Sequence, residues 1–410
     1  MQHVFIIGSK GIPASYGGYE TFVDRLTEEE ERIQEESVSS GGNGSHQEAI
    51  QYHVACKPDV WKEAEYHGAL CDLIPVPNLG PATAVFYDLN ALKFYCRYIE
   101  ENQIENPIVY ILACRIGPFF HKWVRRIHAL GGQVHVNPDG HEWMRAKWPL
   151  PIRKYWKYSE RLMVKHADLL VCDSQNIESY IKESYAKYQP KTTFIAYGAD
   201  VEAKEDAKDD KGGHTDSERK YRKWLSDKGL DRNKYYLIVG RFVPENNYET
   251  MIREFMQSKT EKKLAIVTNV GGKFYDRLER LTGFASDERI AFVGTVYDKE
   301  LLREIRQGAY AYLHGHEVGG TNPSLLEALG ATRLNLLLDV GFNREVGQEG
   351  ALYWKKSSGS LQELIEYADQ LPEEELNRLG KIARERIRSA YSWTYINSEY
   401  RRLYLGNPRE

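Results

Sequence analysis

The sequence predicts an α/β protein built from two doubly wound domains, each a parallel sheet covered by helices. Short apolar runs alternate with stretches of helical period along nearly all of its 410 residues. Such β-α repetition implies parallel strands buried on both faces. The series runs twice, on either side of a charged stretch without apolar period at 203–215, which reads as a solvated linker.

In the first half, strands are expected at 3–7, 51–55, 108–112, 133–136, 169–172 and 192–196, with helices at 19–33, 83–100 and 153–166. In the second half, strands are expected at 235–239, 264–268, 290–293, 309–313 and 334–338, with helices at 248–257, 298–306 and 324–331. A polar insert at 28–47 interrupts the link between the first helix and the second strand, and its 37–45 part is expected to be flexible. Residues 393–405 read as a final helix.

Composition narrows the class. Hydrophobic content of 42% and charged content of 28% suit a soluble globular protein, and a net charge of −4 argues against a general nucleic-acid binder. Five cysteines, widely spaced and without a CxxC pair, suggest neither zinc nor a disulfide framework, so a reducing cytosol is expected. The N-terminal apolar run is too short for a signal peptide, and no run reaches the length of a membrane span. Any membrane contact is therefore expected to be peripheral.

Ligands of open parallel sheets sit beyond the carboxyl ends of the strands, so the loops there hold the candidate chemistry. The first, from Gly8 to Glu20, fits neither the dinucleotide fingerprint nor the P-loop, but Gly17 and Gly18 allow close approach to the backbone. Arg241 follows an apolar strand directly. A guanidinium there can grip two phosphate oxygens, although a structural salt bridge is the alternative. The loop containing Gly319, Gly320, Thr321 and Asn322 leads into Pro323 and a helical pattern. A strand, a small-residue turn and a helix start make an anion site, or simply a capped connection. Glu327 lies early in that helix, within reach of a sugar hydroxyl. Asp139 and His141, after another strand, can orient or deprotonate a hydroxyl, while Asp139-Gly140 also reads as a plain turn. The segment from Trp148 to Tyr158 interleaves aromatics with Arg153, Lys154 and Lys157, which suits an anionic membrane interface, base stacking or a solvated helix face.

Taken together, these loops resemble the retaining glycosyltransferases of the GT-B fold, family four. The carrying residues are Gly17-Gly18-Tyr19-Glu20, Gly240-Arg241-Phe242-Val243-Pro244-Glu245 and the late loop-helix with Glu327. The first of these with its preceding residues, Asn137-Pro138-Asp139-Gly140-His141-Glu142-Trp143, and the run from Glu317 to Glu327 look like bacterial β-1,4-rhamnosyltransferases of capsule and cell-wall polysaccharide synthesis. The resemblance implies two Rossmann-like domains facing across a cleft: an acceptor-binding domain at 1–200, a linker at 201–218, a nucleotide-sugar domain at 219–391 and a helix at 392–410 crossing back.

The resemblance also implies roles. Arg241 would hold a donor diphosphate, with Gly18 and the backbone of Gly320, Thr321 and Asn322 close to the phosphates. Glu327 would bind the ribose, and Gly294 and Val296 would contact the base. Two positions depart from the family. Its first glutamate falls on Gly319, leaving Glu317 as the nearest carboxylate, and Asn246 stands where a lysine is usual, with Lys273 as a candidate substitute. The implied donor is a nucleotide-diphosphate sugar, dTDP-β-L-rhamnose in the narrower resemblance, and the acceptor a lipid-diphosphate-linked saccharide. Transfer would be metal-independent and cofactor-free, in the cytoplasm at the inner face of the plasma membrane, with same-face attack and Asp139 and His141 orienting the acceptor. A sugar-nucleotide epimerase and a non-catalytic nucleotide-sugar binder are the rival readings.

Overall fold

The computed structural model describes residues 1–14, 17–39, 48–59, 61, 63–145, 147–200 and 216–406. It divides into two compact units, Met1–Gly198 with Trp393–Glu410, and Ala199–Ser392.

The first unit is built on β1 (Gln2–Ile7), β2 (Ile50–Cys56), β3 (Glu65–Tyr66), β4 (Ala69–Leu73), β5 (Ile108–Leu112), β6 (Gln133–Asn137), β7 (Leu169–Cys172) and β8 (Thr192–Phe194). They form one sheet in the order β3-β4-β2-β1-β5-β6-β7-β8, parallel except for the β3–β4 hairpin. Its helices are α1 (Gly18–Ser39), α2 (Thr83–Glu101), α3 (Gly117–Ala129), α4 (Leu150–His166) and α5 (Gln175–Ser184). The buried sides of α2 to α5 share one core with β1, β5, β6 and β7, through residues such as Tyr95, Phe120, Met163 and Ile181.

The second unit has β9 (Tyr235–Val239), β10 (Lys263–Val267), β11 (Ile290–Gly294), β12 (Ala311–His314), β13 (Asn335–Leu338) and β14 (Leu352–Trp354), in the order β11-β10-β9-β12-β13-β14 and wholly parallel. Its helices are α6 (Asp216–Lys228), α7 (Tyr248–Gln257), α8 (Gly272–Thr282), α9 (Lys299–Gln307), α10 (Pro323–Ala331), α11 (Gly341–Gly347), α12 (Ser360–Ala368) and α13 (Glu373–Ala390).

The last helix, α14 (Trp393–Tyr404), belongs to the first unit and packs beside α1. Tyr400 meets Tyr110 at 3.0 Å, the Asn397 amide donates to the Arg25 carbonyl at 3.1 Å, and Arg401 pairs with Glu30. Gly198 is needed where the chain passes the Trp393 ring: a Cβ there would lie 2.5 Å from the indole.

Several local expectations change. The first helix runs on to Ser39 rather than ending at 33, because Arg25, Glu28, Glu29, Arg32 and Glu36 form ion pairs along its surface. The polar insert is thus helical as far as Ser39, and 40–47 lie outside the described residues. Most of the linker, 201–215, also lies outside them, whereas Asp216, Ser217 and Glu218 begin α6. The strand expected at 309–313 is Ala311–His314, because its ladder with β9 begins at Ala311 opposite Tyr236 and its ladder with β13 runs on to His314 opposite Leu337. Strands β3, β4 and β14 were not anticipated.

Candidate functional site

In each sheet the chain starts centrally and winds outward both ways. The reversal lies between β1 and β5 in the first unit and between β9 and β12 in the second. Crevices open at such points, beyond the carboxyl ends of the strands.

In the second unit the loops after β9 and β12 are laced together. The Asn247 amide donates to the Gly315 carbonyl at 2.8 Å and to the Glu317 carboxylate at 2.7 Å. A Cβ on Gly240 would stand 3.0 Å from the His316 ring. The hydroxyls of Tyr312 and Ser324 both donate to the Val239 carbonyl, at 3.1 and 3.2 Å.

Arg241 emerges from this frame exposed, and its guanidinium makes no hydrogen bond or ion pair with a described residue. The structural salt bridge weighed from sequence is therefore not formed among the described residues. Asn246 is buried, and its amide donates to the Arg241 carbonyl at 2.8 Å. It shapes the loop instead of offering its side chain outward. Lys273 is exposed in the first turn of α8, which has no side-chain cap, and its ammonium has no partner among the described residues.

The start of α10 differs from the expectation of open helix amides. Pro323 has no N–H, and the Asn322 side chain accepts from Ser324 at 2.9 Å and Leu325 at 3.3 Å. The Leu326 N–H goes to the Asn322 carbonyl. An Asn N-cap thus consumes the first-turn donors. The donors left open are one step earlier: the N–H groups of Gly319, Gly320 and Asn322 have no partner among the described residues. Gly319 holds φ at 136°, a left-handed conformation that favours glycine. Thr321 is buried.

The nearby carboxylates are both engaged. Glu327 is half-exposed and paired at 2.5 Å with Arg306, which is buried. Glu317 is held by Asn247 and by Lys356 at 2.7 Å. Gly294 ends β11 at φ 85°, and Val296 packs on the adjacent core. Sequence reasoning missed Arg306, Lys356 and the histidine pair. His314 is fully buried, stacks on His316 at 4.3 Å, and is held far below the ordinary imidazole range by burial and by the neighbouring ring. The alternation His314-Gly315-His316 at a strand end was the available signal.

In the first unit, the loop after β1 is pinned by α1: Glu20 accepts from the Lys10 N–H at 2.8 Å and Asp24 from the Ala14 N–H at 3.2 Å. Gly17 has φ 140°, and a Cβ there would run into the Glu20 carboxylate. Gly18 is exposed, with open space where a Cβ would be. Arg115, unnoticed in the sequence, reaches from the β5 end to the Gly8 carbonyl at 2.9 Å and to Asp88 at 3.4 Å. Burial pushes Asp88 up to about 6 even so.

Asp139 and His141 both take left-handed backbone angles, φ 59° and 53°. Asp139 accepts from the Gly140 N–H at 2.7 Å and lies in the electrostatic surroundings of Tyr19, whose phenol burial and then Asp139 push well above its usual range. His141 packs edge-on against Tyr180 at 4.2 Å, and burial lowers its pKa.

The basic–aromatic segment is less open than expected. Arg153 donates to the Trp143 carbonyl at 2.7 Å, and Lys157 sits over Trp143, Tyr180 and Tyr185 beside Glu160 at 3.1 Å. Of its three cations, Lys154 alone is exposed. Among the described residues, no group of three or more His, Cys, Asp or Glu is placed to hold a metal ion, and no helix is long and apolar enough to cross a membrane.

Residues 1–200 match a family described as "Domain of unknown function (DUF1972)". No curated protein matches the chain. Among solved structures, it is similar to sucrose-phosphate synthase from Thermosynechococcus elongatus, with TM-score 0.72, 17% identity and 99% of each chain covered. Anabaena HepE in complex with UDP-glucose aligns with TM-score 0.65 and 13% identity over 100% of both chains. Trehalose 6-phosphate synthase from Burkholderia multivorans aligns with TM-score 0.70 and 10% identity over 99% of this chain and 96% of its own. These full-length likenesses show a GT-B fold.

Proposed function

We propose that this GT-B chain is a retaining glycosyltransferase that takes a nucleotide-diphosphate sugar as donor. One observation carries the reading: at the reversal point of the second sheet, the Arg241 guanidinium accompanies backbone donors at Gly319, Gly320 and Asn322, all without a hydrogen-bond partner among the described residues. That set suits a diphosphate, which accepts hydrogen bonds and gains negative charge as the glycosidic bond breaks. The relative HepE is described in complex with UDP and with UDP-glucose.

In this reading Arg241 and the loop amides stabilise the leaving diphosphate, and Lys273 at the uncapped start of α8 adds a second cation. Glu327 accepts hydrogen bonds from the ribose, with Arg306 fixing its carboxylate. Gly294 and Val296 border the base. Glu317, immobilised by Asn247 and Lys356, stands in for the family's first glutamate. The departing phosphate accepts the proton of the attacking hydroxyl on the same face. In the first unit, Gly18 leaves room for a phosphate to approach the backbone, while Asp139 and His141 orient the acceptor. Burial keeps His141 neutral at pH 7, fit to share a hydrogen bond with a hydroxyl.

The narrower proposal is transfer of L-rhamnose from dTDP-β-L-rhamnose to a lipid-diphosphate-linked saccharide in bacterial surface polysaccharide synthesis. Transfer would need no metal and would take place in the cytoplasm at the membrane. The motifs quoted above support this choice of sugar. A donor screen against a synthetic lipid-linked acceptor, read by mass spectrometry, tests it. A mass gain of one deoxyhexose from dTDP-rhamnose in the presence of EDTA supports it. Conversion of the donor without acceptor would identify an epimerase, and binding without turnover a non-catalytic receptor.

A further inference from the structure

The helices α2, α3 and α4 lie side by side on one face of the first sheet, with their buried sides in a single core. Their opposite sides are almost free of acid. Of the four carboxylates these helices carry, Asp88 and Glu160 are buried. Glu100 and Glu101 sit in the last turn of α2, and Glu100 is paired with Arg126. Outward there remain Lys93 and Arg97 on α2, Lys122 and Arg125 on α3, and Lys154, Arg161 and Lys165 on α4. All seven are exposed, and none has a carboxylate partner among the described residues. This concentration occurs in a chain whose net charge is −4.

Large rings stand exposed among these cations: Phe86 at 46%, Phe94 at 39% and Phe119 at 49%. A helix face that serves only to be solvated gains nothing from three half-exposed phenylalanines. Their side chains suit the acyl boundary of a bilayer, while lysine and arginine stems reach back to lipid phosphates. Anionic lipid attracts each such cation. An RNA partner would also meet cations and rings, but base stacking needs rings lining a groove, whereas these stand on the outward sides of two helices.

We propose that the outer face of α2, α3 and α4 is the surface by which this chain docks on an anionic membrane. This deepens the lipid-linked acceptor reading and rests on it. It also moves the contact away from Arg153 and Lys157, which are engaged internally. No covalent step is involved: the bilayer is held by charge and by shallow insertion of Phe86, Phe94 and Phe119.

The test is co-sedimentation of the full chain with phosphatidylglycerol vesicles and with pure phosphatidylcholine vesicles. Binding to the former and not the latter is expected, weakening as salt rises. Each neutralised cation should cost about fivefold in partition, so the double variant K122E/R125E should bind at least tenfold more weakly. The variant F86S/F119S should retain weak binding at low salt and lose it at moderate salt. Both variants should keep the wild-type melting shift with dTDP or UDP, which reports the fold and the second unit independently. A wild-type chain that ignores phosphatidylglycerol, a K122E/R125E variant that binds it unchanged, or retention by single-stranded RNA in place of vesicles overturns the proposal. Vesicle binding without any nucleotide-induced shift would instead sink the donor site and leave this face standing.

Discussion

The buried Asn246 amide donates to the Arg241 carbonyl at 2.8 Å, so the loop presenting the guanidinium is held from beneath by a neutral side chain. Arg241→Ala should leave the protein folded, because the exposed guanidinium makes no hydrogen bond or ion pair with a described residue. It should lower transfer by roughly a hundredfold or more, the usual cost of losing a donor aimed at developing charge. Steady-state kinetics of the purified variant checks this, and near-normal turnover would remove Arg241 from the chemistry.

Asn246→Ala should act through the same loop more mildly. It removes one hydrogen bond and leaves the Arg241 carbonyl with the Val243 N–H as its partner, costing about 1 kcal/mol of stability. Activity should fall while Arg241 itself is intact. Thermal unfolding and kcat measured together separate this from loss of the guanidinium, which changes turnover alone.

Glu327 pairs with the buried Arg306 at 2.5 Å. Glu327→Gln keeps the shape and one acceptor but weakens charge-assisted bonding to a ribose, a difference of about 1.5 kcal/mol or roughly tenfold in affinity. Titration calorimetry with dTDP and with UDP should show that weakening. An unchanged heat and affinity would reject the ribose assignment.

Glu317 is gripped by Asn247 and Lys356. Glu317→Gln should preserve nucleotide affinity and lower turnover at least tenfold, the effect of an interaction made mainly in the transition state. Equal loss in binding and turnover would assign it to the donor ground state.

His135 is buried beside Tyr404, and burial lowers its pKa to about 4. The unfolded chain takes up that proton near pH 6.5, so the unfolded state binds more protons between pH 6.5 and 4. Stability is therefore present above pH 6.5 and lost as pH falls through that window. At pH 5 the loss is about 2 kcal/mol. His135→Phe should lack this component, so urea unfolding of the first unit at pH 7 and pH 5 should show the wild type losing more than the variant.

The architecture was legible in the sequence because a buried parallel strand needs only a short run of apolar residues. Ile108–Leu112 and Tyr235–Val239 announce themselves that way. Strands β3 and β14 escaped notice because they are edge strands of two and three residues, and β4, although it lies between β3 and β2, because only part of Ala69–Leu73 is buried. Helix α1 outran its apolar pattern because charge pairs, not burial, carry its last turns.

Sequence by itself determined the fold class and the loops that follow each strand, since chain order and apolar period set which segments are buried. It also placed Arg241 directly after a strand. Tertiary structure alone decided how each polar group spends its hydrogen bonds. Asn322 consumes the α10 amides and shifts the open donors to Gly319 and Gly320, Asn246 turns inward, and Lys157 enters an aromatic cage. Asn322 and Asn246 choose among partners within five residues, while Lys157 meets Tyr180 and Tyr185 from further along the chain; which arrangement forms is set by how the surrounding elements pack, and spacing alone does not specify it.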